Sequence, residues 1–281
     1  MNFVLIPNIR IHSANMMASN LCLSAAQPMA LVQFAHAMGR KTNACVKRVA
    51  ILHHDAQPLG ENDSPRFLPH QRRGASFIDD KDYVVKTASL ALQPTASMHL
   101  EVSLLIEFDR TPEYLEDALQ GVKIAGGTVT GFGEIAHVDA LEKLPELNGF
   151  WLVDRRDLMD AKRPFERFIE IFADGAESRP SWLAAAVVGY AMTTEFETRG
   201  GVRQLDDGTE PLHAFCEPLV SVVQYVSVRT AKEQGVTTIP FWQSAWIQGD
   251  VFLLTGDALD VDTEEESAED DLQEIEEFEI D

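Results

Sequence analysis

Neighbouring histidines and clustered arginines are the residues of this sequence whose types and spacing invite chemistry. His53-His54-Asp55 sets two imidazoles beside a carboxylate, the raw material of a metal site or of general acid–base work. On a strand, however, His53 and His54 point to opposite faces, and no H-E-x-x-H or H-x-x-x-H partner occurs. His99 and Glu101 share a strand face, yet no nucleophile or second carboxylate can be argued to lie beside them, and no G-x-S-x-G supplies a serine nucleophile. The residues therefore predict no catalytic residue, no metal site and no cofactor.

Phosphate binding asks for Lys and Arg on one face, and RNA binding adds planar side chains on which unstacked bases can lie. Three clusters qualify: Arg40, Lys41, Lys47 and Arg48; Arg66, His70, Gln71, Arg72 and Arg73 with Phe67 among them; and Arg155, Arg156, Lys162, Arg163 and Arg167 after Trp151. Taken singly, each also reads as an ordinary solvated charged face. Gly126-Gly127-Thr-Val-Thr-Gly131-Phe-Gly133 would let a chain approach a phosphate closely, because residues without Cβ leave room. A helix C-cap followed by a turn accounts for Gly126 and Gly127 equally well, and leaves Gly131 and Gly133 to be explained.

The elements that must position these residues follow from periodicity. Asn2–Ile11 reads as a strand that Pro7 bulges or places near an edge, PMALVQFAHAMGRK (28–41) as a helix with Pro28 in its first turn, and Val46–His54 and Met98–Phe108 as strands. A helix over Thr111–Ile124 and a strand over Thr128–Ala136 complete the order βαββαβ. That order predicts an α+β fold, the ferredoxin-like arrangement also used by RNA-recognition modules (RRM-like). Residues 55–97 form a 43-residue insertion between the second and third strands, far longer than a hairpin needs. It carries the second arginine cluster and Lys86, and reads as a projecting thumb. Residues 148–256 add a β-rich C-terminal part: strands at Phe150–Val153 and Trp182–Tyr190, a helix over Asp157–Phe172 that Pro164 can kink, and Ala214–Lys232 open between helix and strand.

Charge sharpens the division. Of the net −22, fourteen negative charges belong to residues 257–281, which hold no Lys or Arg, so residues 1–256 carry only −8. The tail reads as a disordered acidic appendage to an RRM-like domain (1–147) and its C-terminal part (148–256). Cys22, Cys45 and Cys216 are odd in number and widely spaced, which predicts neither disulfides nor zinc and suits a reducing, cytoplasmic setting. The longest nearly pure apolar run, Trp182–Met192, is too short to cross a bilayer, so no membrane partner is expected.

With these residues in view, a family resemblance emerges. FVLIPNIRIHSAN followed by PMALVQFAHAMGRK is similar to the opening of subunit two of the type I-F CRISPR Csy complex. MHLEVSLLIEF resembles that family's H-L-E-V-S-L-L strand, KIAGGTVTG its L-A-G-G-S segment and NGFWLVDRRD its P-G-F-x-L-V stretch. WLAAAVVGYAMTT resembles W-L-x-P-x-x-x-G-Y with alanine in place of the proline, and the likeness spans most of residues 3–234. The resemblance implies a family-five Cas subunit, without nuclease activity, that binds and caps the 5′ handle of the crRNA. It implies as partners a family-seven backbone subunit, a large subunit or its functional replacement, and target DNA near the PAM. Carried over by position, it adds Asn15, His36, Arg40, Gly126 and Gly127 to the RNA-binding residues, and makes 55–97 the thumb. Two other readings compete: a protein-interaction module or mimic that presents its acidic tail to a partner's basic groove, and an endoribonuclease using His53, His54 or Tyr83.

Overall fold

The computed structural model describes residues 2–19, 22–63, 66–70, 72–73, 92–93, 95–173, 181–198, 208–236, 238–257 and 259. Gln71, Lys86, the strand expected at Tyr83–Lys86 and nearly all of the acidic tail lie outside the described residues.

The principal elements are β1 (Asn2–Asn15), α1 (Pro28–Lys41), β2 (Val46–Asp63), β3 (Ser97–Phe108), the single turn α2 (Leu115–Ala118), β4 (Gly127–Gly131), β5 (Phe150–Asp154), α3 (Pro164–Phe172), β6 (Leu183–Met192), β7 (Cys216–Ser227), α4 (Val228–Glu233), β8 (Phe241–Ile247) and β9 (Val251–Gly256). The fold is α+β and strand-rich. One antiparallel sheet runs in the order β5-β7-β6-β9-β8-β2-β3-β1-β4. β5 pairs with β2 as well, Phe150 opposite His53 and Trp151 opposite Leu52, so six strands close into a ring that shares β2 with the N-terminal strands. Trp242, fully buried, donates its indole N–H to the Leu152 carbonyl at 2.8 Å inside that ring.

Burial on two faces explains why β1 begins as a nearly unbroken apolar run. Val4, Ile6, Ile9 and Ile11 pack with Leu31, Val32, Phe34, Ala35 and Met38 of α1. On the other face Phe3 and Leu5 meet Leu52, Trp151, Val153 and Phe241. Beyond Pro7 that second layer ends, and the strand alternates buried Ile9 and Ile11 with exposed Arg10 and His12. The register shifts between Ile6 and Ile9, where Pro7 has no N–H to give the ladder. Gly133 belongs to this bulge: its N–H donates to the Pro7 carbonyl at 2.7 Å, and a Cβ there would stand 3.0 Å from the proline ring.

Four expected elements take other shapes, and the first is the strand expected over Thr128–Ala136, which ends at Gly131, with Ala136–Val138 a separate short strand on β1. The helix expected over Thr111–Ile124 is one turn, because Tyr114 enters it at φ +52° and Gly121 leaves it at φ +64°. The helix expected over Asp157–Phe172 starts only at Pro164, whose missing N–H suits a first turn better than a helix interior, and a short 3-10 turn occupies Arg156–Leu158. Ala214–Lys232 divides into β7 and α4 at Ser227, whose hydroxyl accepts from the Thr230 N–H.

Candidate nucleic-acid interface

Three stretches far apart in sequence meet at one end of the sheet. Asn15 closes β1 opposite Ser97 of β3, and Ser97 in turn lies opposite Leu59 of β2. The His70 N–H donates to the Leu59 carbonyl at 3.0 Å, and the Asn15 N–H donates to the Ala125 carbonyl at 2.7 Å. Ala125 and Gly126, at φ +48° and +75°, form the turn of a hairpin whose strands are Lys123–Ile124 and β4. This is primed-turn geometry, not the end of a helix. Gly127 serves close approach instead: a Cβ there would stand 2.6 Å from the Ala14 nitrogen. The exposed Asn15 side chain closes on Met17, accepting from its N–H at 3.0 Å and donating to its carbonyl at 3.1 Å.

β2 runs on past the sheet as an arm. Gly60–Asp63 pair with Arg66–Pro69, and Arg72–Arg73 pair with Leu92–Gln93. The hairpin carries Arg66 outward, opposite Asp63, and brings His70 back to the Leu59 root, after which Arg72 and Arg73 enter a second strand pair.

Next to the root of this arm the sheet face is open. Arg10, His12, Asp55, His99, Glu101 and Thr130 border a depression of about 210 Å³. The His12 and His99 rings lie 4.2 Å apart, centroid to centroid. Gly131 makes room for the Arg10 guanidinium, since a Cβ there would stand 2.6 Å from its Nη2. Imidazole faces can stack on a base, the guanidinium can hold a phosphate, and Asp55 and Glu101 can accept from base amino groups. Sequence reasoning missed Arg10 and His12, although the alternation Ile9-Arg10-Ile11-His12 was the signal that would have found them.

Comparison with known families finds that the profile of the CRISPR-associated protein family Cas_Csy2 matches residues 4–167. The chain belongs to this family. The matched stretch runs from β1 into α3, and so holds the arm, the open face and the glycine turn. Comparison with curated proteins gives no match. Membership in Cas_Csy2 makes the chain a Csy-complex subunit of CRISPR antiviral defence that works alongside other Cas subunits. Among the described residues no helix is long and apolar enough to cross a membrane.

Within this Cas_Csy2 chain the other cations stand apart from the Asn15 end. Arg40 and Lys41 are exposed in the last turn of α1, whose fourteen residues put them about 20 Å from its start beside Asn15. His36 faces the C-terminal strands and is 3.2 Å from the Ser244 hydroxyl, and burial, helped by the Arg40 charge, lowers its pKa. Arg48 bonds buried Glu107 at 2.5 Å and covers the Phe241 ring, while Lys47 lies 3.8 Å from the same carboxylate. Three members of the third cluster are engaged with their own surroundings: Arg155 with Asp157 and Gln224, Arg156 with Asp154 and the Leu254 carbonyl, Arg167 with Glu170 and the Leu158 carbonyl.

The paired histidines are also held in place. The ring of His53 meets Tyr225 edge-on at 4.9 Å, its Nε2 is buried without a partner among the described residues, and burial pulls its pKa down to about 4. His54 is the extra residue of a bulge between His53, opposite Val102, and Asp55, opposite Glu101. Its Nε2 lies 2.6 Å from the Ser103 hydroxyl, and burial lowers its pKa. Tyr83, the third nuclease candidate, lies outside the described residues.

Proposed function

We propose that this chain is the non-catalytic subunit of a type I-F-like Csy complex that binds and caps the 5′ handle of the crRNA. The observation that carries the reading is the family match over residues 4–167. The pairing order β4-β1-β3-β2 supports an RRM-like βαββαβ core, because it is the antiparallel order that such a core requires. On this reading the RNA follows the Asn15 end of the sheet, with His70 and the arm residues Arg66, Arg72 and Arg73 on one side and Arg10, His12 and His99 on the other. Gly126–Gly127 seat the hairpin that supports Asn15, and the arm is the thumb. The family-seven backbone subunit meets the chain where the handle leaves it, and a large subunit or its functional replacement brings target DNA near the PAM. On this reading His53 and His54 are structural, half-buried in contacts with Tyr225 and Ser103.

Ultraviolet crosslinking of the assembled complex, with peptide mapping, tests the placement. Crosslinks at His12, His70 or the Arg72–Arg73 strand are expected. Crosslinks confined to the stretch from Arg155 to Arg167 contradict it.

A further inference from the structure

The open face beside the arm carries a feature that phosphate binding alone does not explain. Ladder pairing sets Arg10 of β1 opposite Glu101 of β3, and Glu101 opposite Asp55 of β2, so one cation and two carboxylates lie in a row across three strands. The next row towards the Asn15 end holds His12 and His99, with their rings in contact. All five residues border the depression of about 210 Å³, which is of single-base size. Carboxylates repel a phosphate backbone, so on a face that receives RNA they are suited to the donors of a base.

The hydrogen bonds already made on this face decide what it has left to offer. Glu101 Oε1 accepts from the Asn8 side-chain amide at 2.9 Å, which fixes the carboxylate and leaves Oε2 as an acceptor. His99 Nδ1 accepts the Ser13 N–H at 3.4 Å, so the neutral ring carries its proton on Nε2 and meets a ligand as a donor. A donor at His99 and an acceptor at Glu101 thus stand two residues apart on one strand face, with a second acceptor at Asp55. Adenine and cytosine present the complement along one edge, an amino group that donates beside a ring nitrogen that accepts. Uracil and guanine present a carbonyl oxygen in place of that amino group, and it would face a carboxylate.

We infer that this depression selects one unstacked base of the RNA by its amino edge, taking adenine or cytosine and rejecting uracil and guanine. Glu101 and Asp55 accept from the amino group, His99 donates to the ring nitrogen, and His12 stacks on the base. Arg10, laid along Gly131, holds the adjoining phosphate. The inference rests on the reading of the chain as an RNA-capping subunit. The occupant is RNA and not a protein segment because planar rings and a cation adjoin the root of the arm here, while none of the large exposed apolar side chains among the described residues borders the depression.

The full chain is co-expressed with the other Cas proteins of its locus and with repeat-spacer transcripts randomised over the handle, and the guides that co-purify are sequenced against the input. At one handle position adenine, cytosine or both are expected to be enriched about tenfold or more over guanine and uracil, and which of the two is enriched names the base. Glu101→Gln keeps an oxygen for Asn8 and can donate to a carbonyl, and is expected to bring that ratio to within about twofold while the other positions keep theirs. Asp55→Asn and His99→Phe, the latter keeping a ring against His12, are each expected to lower the same ratio several-fold. Comparing each variant with the parent cancels any preference of guide processing. Carbodiimide labelling of Glu101 is expected to be blocked in the complex and restored by RNase. Three results overturn the inference while leaving the capping reading intact: guides bound with base ratios indifferent to all three substitutions, guanine or uracil favoured at the sensitive position, or protection of Glu101 that survives RNase and so belongs to a protein subunit. A complex that holds no RNA through this chain overturns the capping reading itself, and base selection with it.

Discussion

Gly127 and Gly126 are neighbours that resist substitution for different reasons. A methyl at Gly127 would collide with the backbone of Ala14, which cannot move without disturbing β1, so Gly127→Ala is expected to cost about 2–3 kcal/mol of stability. Gly126 has open space around its missing Cβ and carries only the burden of φ +75°, so Gly126→Ala should cost about 1 kcal/mol. Urea denaturation of the two variants checks the order, and a larger loss at Gly126 would contradict it. His53 supplies a residue-scale pH effect. Its folded pKa, about 4, lies below the unfolded value of 6.5, so between these limits the unfolded chain takes up a proton that the folded chain refuses. Stability attributable to His53 is thus intact above pH 6.5 and falls as the pH drops towards 4, by about 3 kcal/mol in all. His53→Phe, which keeps the edge contact with Tyr225, is expected to flatten that part of the stability–pH curve relative to the parent chain. Parallel curves would refute the assignment.

At the scale of elements, the arm and the ring of strands divide the work. No described residue from 57 to 95 belongs to either apolar core, so replacing residues 62–95 by a short turn is expected to leave the melting temperature within a few degrees while RNA affinity falls about tenfold or more. Electrophoretic mobility shifts and thermal melts on the same preparations measure both. The ring depends on Asp154, which accepts from the Arg156 side chain and from the Gly256 N–H at 3.0 Å and so ties β5 to the end of β9. Asp154→Ala leaves Arg156 half stranded and is expected to cost about 2–4 kcal/mol without a specific effect on RNA. That difference shows what was legible beforehand. α1 was readable residue for residue because its apolar spacing, its Pro28 start and its basic end agree. β3 was readable to within one residue, whereas β1 and β2 were readable in place but not in length, since the end of β2 is decided by pairing with β3 and the arm and not by apolar content. The one-turn α2 was not readable: Tyr114 takes a left-handed conformation that nothing in its type announces, and the glycines after it make a hairpin. Among the basic clusters, sequence gave no means to tell Arg155 and Arg156, held by Asp157 and Asp154, from cations free to meet a ligand, because those partners are fixed only by folding.

For the molecule as a whole, charge is the unusual feature: a body of −8 carries fourteen further negative charges in residues 257–281. If the chain caps RNA, deleting 257–281 should leave RNA binding and complex membership in place, with affinity raised a few-fold at low salt and equal to the parent at high salt, where screening removes the tail's repulsion. A mimic that uses the tail to occupy a basic groove would instead lose its partner on deletion. The most direct measurement of the central claim is to co-express the chain with its neighbouring Cas proteins and a repeat-spacer transcript, pull down through this chain, and sequence and end-map the bound RNA. The account predicts guides with one defined 5′ end, protected over several nucleotides and released by Arg72→Glu with Arg73→Glu. Recovery of protein partners without RNA, or of RNA with scattered 5′ ends that the double substitution does not release, would contradict it.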